Sequence, residues 1–357
     1  MAFPVWRERL LFTDDLLDRR EAVRGRRGGL DTVCVWLAVR RAFVVQASCL
    51  VLALSLNSQE EPKRVGIKEL QAPMSELKPT ATIELGGKPD WTVITDDAVW
   101  VSNSELHAIQ RIDPETNQVV VQVGLPGEPC SGLAYGFGSV WSPICDGQKG
   151  LARIDASTNH VTAILPVAPA DDEGSIATSA DSVWLVTNKD GLLLRIDPKT
   201  NSVRQQIRLS PGSFNPIYSD GTIWVTNIEK GTLTAVNADT GEVKKEDRVG
   251  ERPRFLTAGA GSIWVLLQSD GSVTRVEPKT ASARANIPAG IPGHGGEICY
   301  GNGAVWATVI DIPLTKIDAK SGRVVKQWVG AGGDSVRYGH GSLWLTDLKH
   351  GKMLRLP

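Results

Sequence analysis

His294 and Glu297 stand three residues apart, and such a pair can take a proton from a bound molecule and return it. Arg337 occupies a place where the matching positions of earlier repeats hold Val93, Ala134, Ala177, Ile217, Thr257 and Cys299. A guanidinium in a column of small or apolar residues must meet a carboxylate or a ligand anion once buried. Asp334, Asp347 and Glu297 are the partners in reach, so an internal ion pair and an anion site are the two readings. Further polar groups recur at the same phase: Asp90 and Trp91; Ser131; Asp171, Asp172 and Glu173; Phe214 and Asn215; Arg252 and Arg254; Asp334. A second set, Asn103, Asn188, Asn227, Gln268, Asp311 and Asp347, closes the segments that follow. From these, Asp90, Trp91, Glu173, Asn215, Arg254, His294, Glu297, Asp334 and Arg337 form the candidate ligand site. A mixed ring of this kind can hold a polar ligand or a metal; a solvated rim with no ligand is the plainer alternative. No nucleophile elbow, phosphate loop, zinc spacing or paired-carboxylate motif accompanies it, and His107, His160, His340 and His350 are scattered.

The elements that position these groups are repeats. Trp100, Trp141, Trp184, Trp224, Trp264, Trp306 and Trp344 follow one another at intervals of about forty residues, the period of a propeller blade. About a dozen residues after each comes a turn such as Arg111-Ile112-Asp113-Pro114-Glu115-Thr116-Asn117 or Arg195-Ile196-Asp197-Pro198-Lys199-Thr200-Asn201. One local role explains every copy: the Asp accepts from turn N–H groups, Pro sets φ, and the closing Asn or Gly tolerates a positive φ. Alternating apolar runs on either side predict four short antiparallel strands per unit. The chain is therefore expected to be an all-β, seven-bladed propeller over residues 81–357, with candidate ligand groups on the inner strands around the channel. The seventh unit has three strands of its own, and Ala81 to Leu85 is expected to supply the fourth and close the ring. Hairpin pairing puts Glu173 opposite Asn188 and His294 opposite Asp311.

Residues 1–56 read differently. Arg40-Arg41 precedes an apolar run, Ala42 to Leu56, which describes an export signal, with an uncleaved anchor as the alternative. The residues upstream are long for a leading region, which places the expected translation start near Val33 to Val39. Residues 57–80 read as a flexible linker. A net charge of −1 and a pI near 6.5 give no basic surface for nucleic acid. Five cysteines are present, two of them in the export segment. Folding the second unit about Gly136-Phe137-Gly138 sets Cys130 opposite Cys145, within reach of a disulfide in an oxidising compartment, with two free thiols as the alternative. Cys299 reads as a small buried hydrophobe.

The Gly-Ser-Val-Trp and Arg-Ile-Asp-Pro-x-Thr-Asn elements resemble bacterial propellers with YVTN-type repeats, including YncE-like proteins. They are also similar to streptogramin (virginiamycin B) lyase-like propellers. The lyase resemblance implies a magnesium ion held with histidine and glutamate on the channel face, for which His294 and Glu297 are the counterparts, and opening of a lactone by elimination. Lyase repeats carry Trp-Phe-Thr-Glu where this chain has Trp100-Val101-Ser102-Asn103 and Trp344-Leu345-Thr346-Asp347. The leading expectation is an exported, monomeric, non-enzymatic propeller that binds a small polar or anionic ligand or a protein partner in the cell envelope. A metal-assisted lyase or lactone-opening hydrolase is its rival. The arginines lead one to expect an anionic or zwitterionic ligand on the side of Arg254 and Arg337.

Overall fold

The computed structural model describes residues 66–357, except Ser131, Asp171, Asp172, Gly174, Ser175 and Ile310. The expected export segment and the first part of the expected linker lie outside the described residues. Seven antiparallel sheets follow one another along the chain, each running outward from its innermost strand. Blades one to seven span 89–124, 134–165, 176–208, 213–248, 253–288, 298–329 and 336–356. Inner strands touch in succession, and the innermost of blade seven, Val336–Gly339, meets that of blade one, Pro89–Ile94, so the ring closes about an axial channel. Among the described residues no helix is long and apolar enough to cross a membrane.

The repeated tryptophans sit on the second strand of each blade and fill the space between sheets; Trp100, Trp141, Trp184, Trp264 and Trp344 are wholly buried. Directly across from five of them, on the third strand, is an arginine: Arg111, Arg153, Arg195, Arg275 and Arg355. Each guanidinium lies over its tryptophan, at 4.9 to 5.5 Å from the ring centre. Arg153 then donates Nη1 to Asn201 Oδ1 at 3.0 Å, and Arg195 donates Nη1 to the Asp239 carbonyl at 2.6 Å, each reaching the turn of the next blade. The arginine of the repeat motif is thus an inter-blade staple. The motif's Asp has the turn role: Asp113 Oδ1 accepts from the N–H of Glu115 at 2.7 Å and of Thr116 at 3.3 Å, and Asn117 takes φ 57°. The hydroxyls and N–H groups of Ser157 and Thr158 hold the Asp155 carboxyl down to about 2.

Ring closure follows the expectation: Ala81–Glu84 pairs antiparallel with Lys352–Leu356 as the outer strand of blade seven. The linker reading of 57–80 needs correction from Gly66 onward. Gln71–Pro73 pairs in parallel with Arg323–Val329, adding a fifth strand to blade six. Ile67 N–H donates to Gln327 Oε1 at 2.6 Å, Ala72 is buried, and Met74 and Leu77 pack against the cores of blades six and seven. A few apolar side chains suffice because the edge of blade six offers an unpaired row of backbone groups. Gly66 takes φ 58°, and a Cβ there would strike the side chains of Gln71, Gln327 and Ile312.

Cys130 and Cys145 are bonded, with Cα atoms 5.3 Å apart. They are not directly opposite. The hairpin register Tyr135↔Val140 slips nearer the strand start, where Pro129 faces Ile144, so the bridge runs diagonally. Cys299 is free and buried, which pushes its thiol up to about 12.

Candidate functional site

All seven inner strands run the same way along the channel, so their starts gather at one rim and their ends at the other. Three spaces follow one another along the axis. At the strand starts lies a rim cleft of about 470 Å³ that includes Asp90, Glu173, His294, Asp311, Asp334 and Asp347. In the middle is a cavity of about 50 Å³ walled by Trp91, Asn215, Phe255, Glu297 and Arg337, among others. At the strand ends is a vestibule of about 320 Å³.

The middle layer is a charged plug. Arg337 of blade seven forms an ion pair with Glu297 of blade six and lies 5.3 Å over the Trp91 ring of blade one. Ser335 Oγ–H and Val336 N–H donate to Glu297 Oε2 at 2.6 and 3.2 Å. Burial nevertheless pushes the Glu297 carboxyl up to about 7, against the lowering effects of Arg337 and these donors. Trp91 meets Phe255 edge-on at 5.8 Å. Of the three carboxylates in reach of Arg337, it is therefore Glu297 that pairs with it.

Arg254 is neutralised in the same manner. Its guanidinium lies over Phe214 and Phe255, at 5.0 and 5.7 Å, and pairs with Glu173 at 3.3 Å. Asn215 donates Nδ2 to the Glu173 carbonyl at 2.8 Å, while its Oδ1 is buried with no hydrogen-bond partner among the described residues. Arg252 is exposed and takes φ 52°.

With both arginines matched, the accessible rim is acidic. Asp334 accepts from Gly296 N–H at 3.0 Å and shares a hydrogen bond with the Asp90 carboxyl. Burial raises the Asp334 pKa, against the lowering effect of its hydrogen bonds to Asp90 and Gly296. Asp347 pairs with His350 at 2.7 Å. Lys349 adds one cation to the cleft.

His294 and Glu297 are not brought together: the imidazole is exposed in the rim cleft, and the carboxylate is buried in the central cavity facing Arg337. A divalent ion needs several converging oxygen or nitrogen donors. Among the described residues no group of three or more His, Cys, Asp and Glu side chains converges in this way, and both Glu297 oxygens are already engaged. The magnesium set implied by the lyase resemblance therefore does not assemble from these residues. Asn103 and Asn227, which the sequence places at the ends of the second strands, hold local backbone. Asn103 Oδ1 accepts from Lys88 N–H at 3.0 Å, and Asn227 Oδ1 accepts from Lys230 N–H at 2.9 Å. Ser131, Asp171 and Asp172 lie outside the described residues. The Asp90–Asp334 contact escaped the sequence reading, although both residues begin inner strands that ring closure makes neighbours.

No family model matches the chain, and no curated protein matches it by sequence. Its fold is similar to that of a solved streptogramin B lyase, with a TM-score of 0.63 and 14% identity over 78% of this chain and 97% of that one. A computationally designed protein, Ika8, is similar at a TM-score of 0.57 and 12% identity, over 77% and 99% of the two chains. At such identities the likeness shows the fold alone.

Proposed function

We propose that this chain is an exported propeller that binds a small, positively charged polar ligand at the acidic rim of its channel and does not transform it. The observation that carries this reading is the Asp90–Asp334 carboxyl contact at the rim cleft, where two neighbouring acids would gain from a ligand cation. The expected anionic ligand fits this rim less well, because neither Arg254 nor Arg337 lines the cleft and Arg254 pairs with Glu173. Export is supported by the Arg40-Arg41 and Ala42 to Leu56 pattern, and by a Cys130–Cys145 bridge that suits an oxidising compartment. A non-catalytic role is supported by the separation of His294 from Glu297.

The test is calorimetric titration with putrescine, choline and arginine amide at several pH values. Binding should release protons and weaken as the rim carboxylates become protonated, and Asp90→Asn or Asp334→Asn should reduce affinity roughly tenfold. Absence of binding, or equal binding by both variants, removes the reading. Turnover of a lactone in the presence of magnesium would establish the rival enzymatic one.

A further inference from the structure

The chain contains four tyrosines, and all four stand six residues before a repeat tryptophan: Tyr135, Tyr218, Tyr300 and Tyr338. That position ends the inner strand, so the tyrosines of the whole protein gather at the rim opposite the acidic cleft. Tyr218, Tyr300 and Tyr338 wall the 320 Å³ vestibule, together with aliphatic side chains such as Leu256 and Ile298, and with Arg337. Among the described residues no carboxylate lines this space.

Two rings are held in place by the backbone. A Cβ at Gly259 would strike the Tyr300 ring, and one at Gly301 would strike the Tyr338 ring. Each ring thus lies against the inner strand of the preceding blade, its position set by a missing side chain. None of the four phenol hydroxyls has a hydrogen-bond partner among the described residues. Arg337 uses two of its five donors, one on Glu297 and one on the Val336 carbonyl at 2.9 Å. Its side chain keeps 24% exposure where that of Glu297 keeps 3%, so solvent meets this pair at the guanidinium.

We propose that the vestibule is a second binding site, which takes a small aromatic carboxylic acid with its ring among Tyr218, Tyr300 and Tyr338 and its carboxylate on Arg337. Aromatic walls favour a flat ring by stacking and edge contacts. A guanidinium with unused donors at the inner end fixes the acid group by charge-assisted hydrogen bonds. The space is within the size range of small-molecule sites, at its lower end. The site is separate from the acidic rim, and the plug of Arg337, Glu297 and Trp91 stands between them.

Because every tyrosine lies in this ring, ring-¹³C tyrosine labelling gives a spectrum of this region alone. Titration with 4-hydroxybenzoate should shift the signals of Tyr218, Tyr300 and Tyr338 more than that of Tyr135, which does not line the vestibule. Cyclohexanecarboxylate and benzamide, which lack the ring or the charge, should each bind roughly tenfold more weakly. Arg337→Lys keeps a cation beside Glu297 and should weaken 4-hydroxybenzoate by a similar factor, since the forked donors are lost. Ala258→Trp fills the vestibule from a wall residue outside the ion pair, and should abolish the shifts while the melting curve shows a folded protein. Asp90→Asn, at the other rim, should leave them unchanged. Absence of shifts at millimolar 4-hydroxybenzoate, equal binding of either control compound, or shifts that survive Ala258→Trp would overturn the proposal.

Discussion

Arg355 of blade seven donates Nη1 to Asn117 Oδ1 of blade one at 2.9 Å, and to the Pro114 carbonyl at 2.5 Å. The same guanidinium lies 4.9 Å over Trp344 and donates Nε to Ser342 Oγ at 2.9 Å. The staple that Arg153 and Arg195 make between successive blades here joins the last blade to the first.

Arg355→Met should therefore lower stability by about 2 to 3 kcal/mol, combining a cation–π contact with hydrogen bonds made by a charged group. Urea denaturation of both proteins measures this. A change below the precision of that measurement would mean that closure rests on the strand pairing of Ala81–Glu84 alone.

Stability should fall as pH rises from 4.5 to about 7. The Glu297 carboxyl stands at about 7 in the fold against an ordinary 4.5, so the folded chain binds a proton that the unfolded chain has released. Its contribution is fully present below the ordinary value and is lost as pH rises through about 7. Denaturation midpoints taken across that window should decline for the native chain by an amount on the order of 3 kcal/mol. They should decline less for Glu297→Gln, which has no proton to lose. Asp334 is raised as well, so some slope should persist in that variant. Parallel curves for the two proteins would show that Glu297 keeps an ordinary pKa.

The Cys130–Cys145 bridge closes a loop with a sequence separation of 15, a size at which a disulfide contributes about 3 kcal/mol by restricting the unfolded chain. Cys130→Ser with Cys145→Ser should lose that amount and become insensitive to reductant. A melting temperature unaffected by reductant in the native chain would count against the bridge.

Two truncations separate the roles of the N-terminal strands. A chain beginning at Pro79 lacks the parallel strand Gln71–Pro73 but keeps Ala81–Glu84, and should melt slightly lower. One beginning at Pro89 lacks both and should melt much lower, with amide exchange accelerated across Lys352–Leu356. Unchanged exchange there would show that blade seven holds without its borrowed strand.

Periodicity made the architecture legible. A tryptophan every forty residues gives the blade count, and Arg337 stood out because its column is otherwise small or apolar. Contacts between distant repeats were less readable. The partner of Arg254 is 81 residues away at Glu173, and Asp90 meets Asp334 only once the ring is closed. His294 and Glu297 misled for the opposite reason: nearness in sequence suggested a pair, but one residue belongs to the rim loop and the other to the channel wall. Residues 66–80 gave little pattern because their order is imposed by the open edge of blade six. The tyrosine column lies in the sequence at a fixed distance before four repeat tryptophans, but only the structure shows that it faces a cavity.

The pairing of Ala81–Glu84 with Lys352–Leu356 has a consequence in time. On the ribosome the first of these strands is made before any blade, and its partner only after six blades have been made. At typical rates of synthesis the interval is roughly tens of seconds. Throughout it an apolar strand carrying Ile83 waits without its mate while six blades take shape beside it. The nascent chain therefore offers a vacant edge to any holdase, or to a neighbouring copy, until Lys352–Leu356 is free to pair.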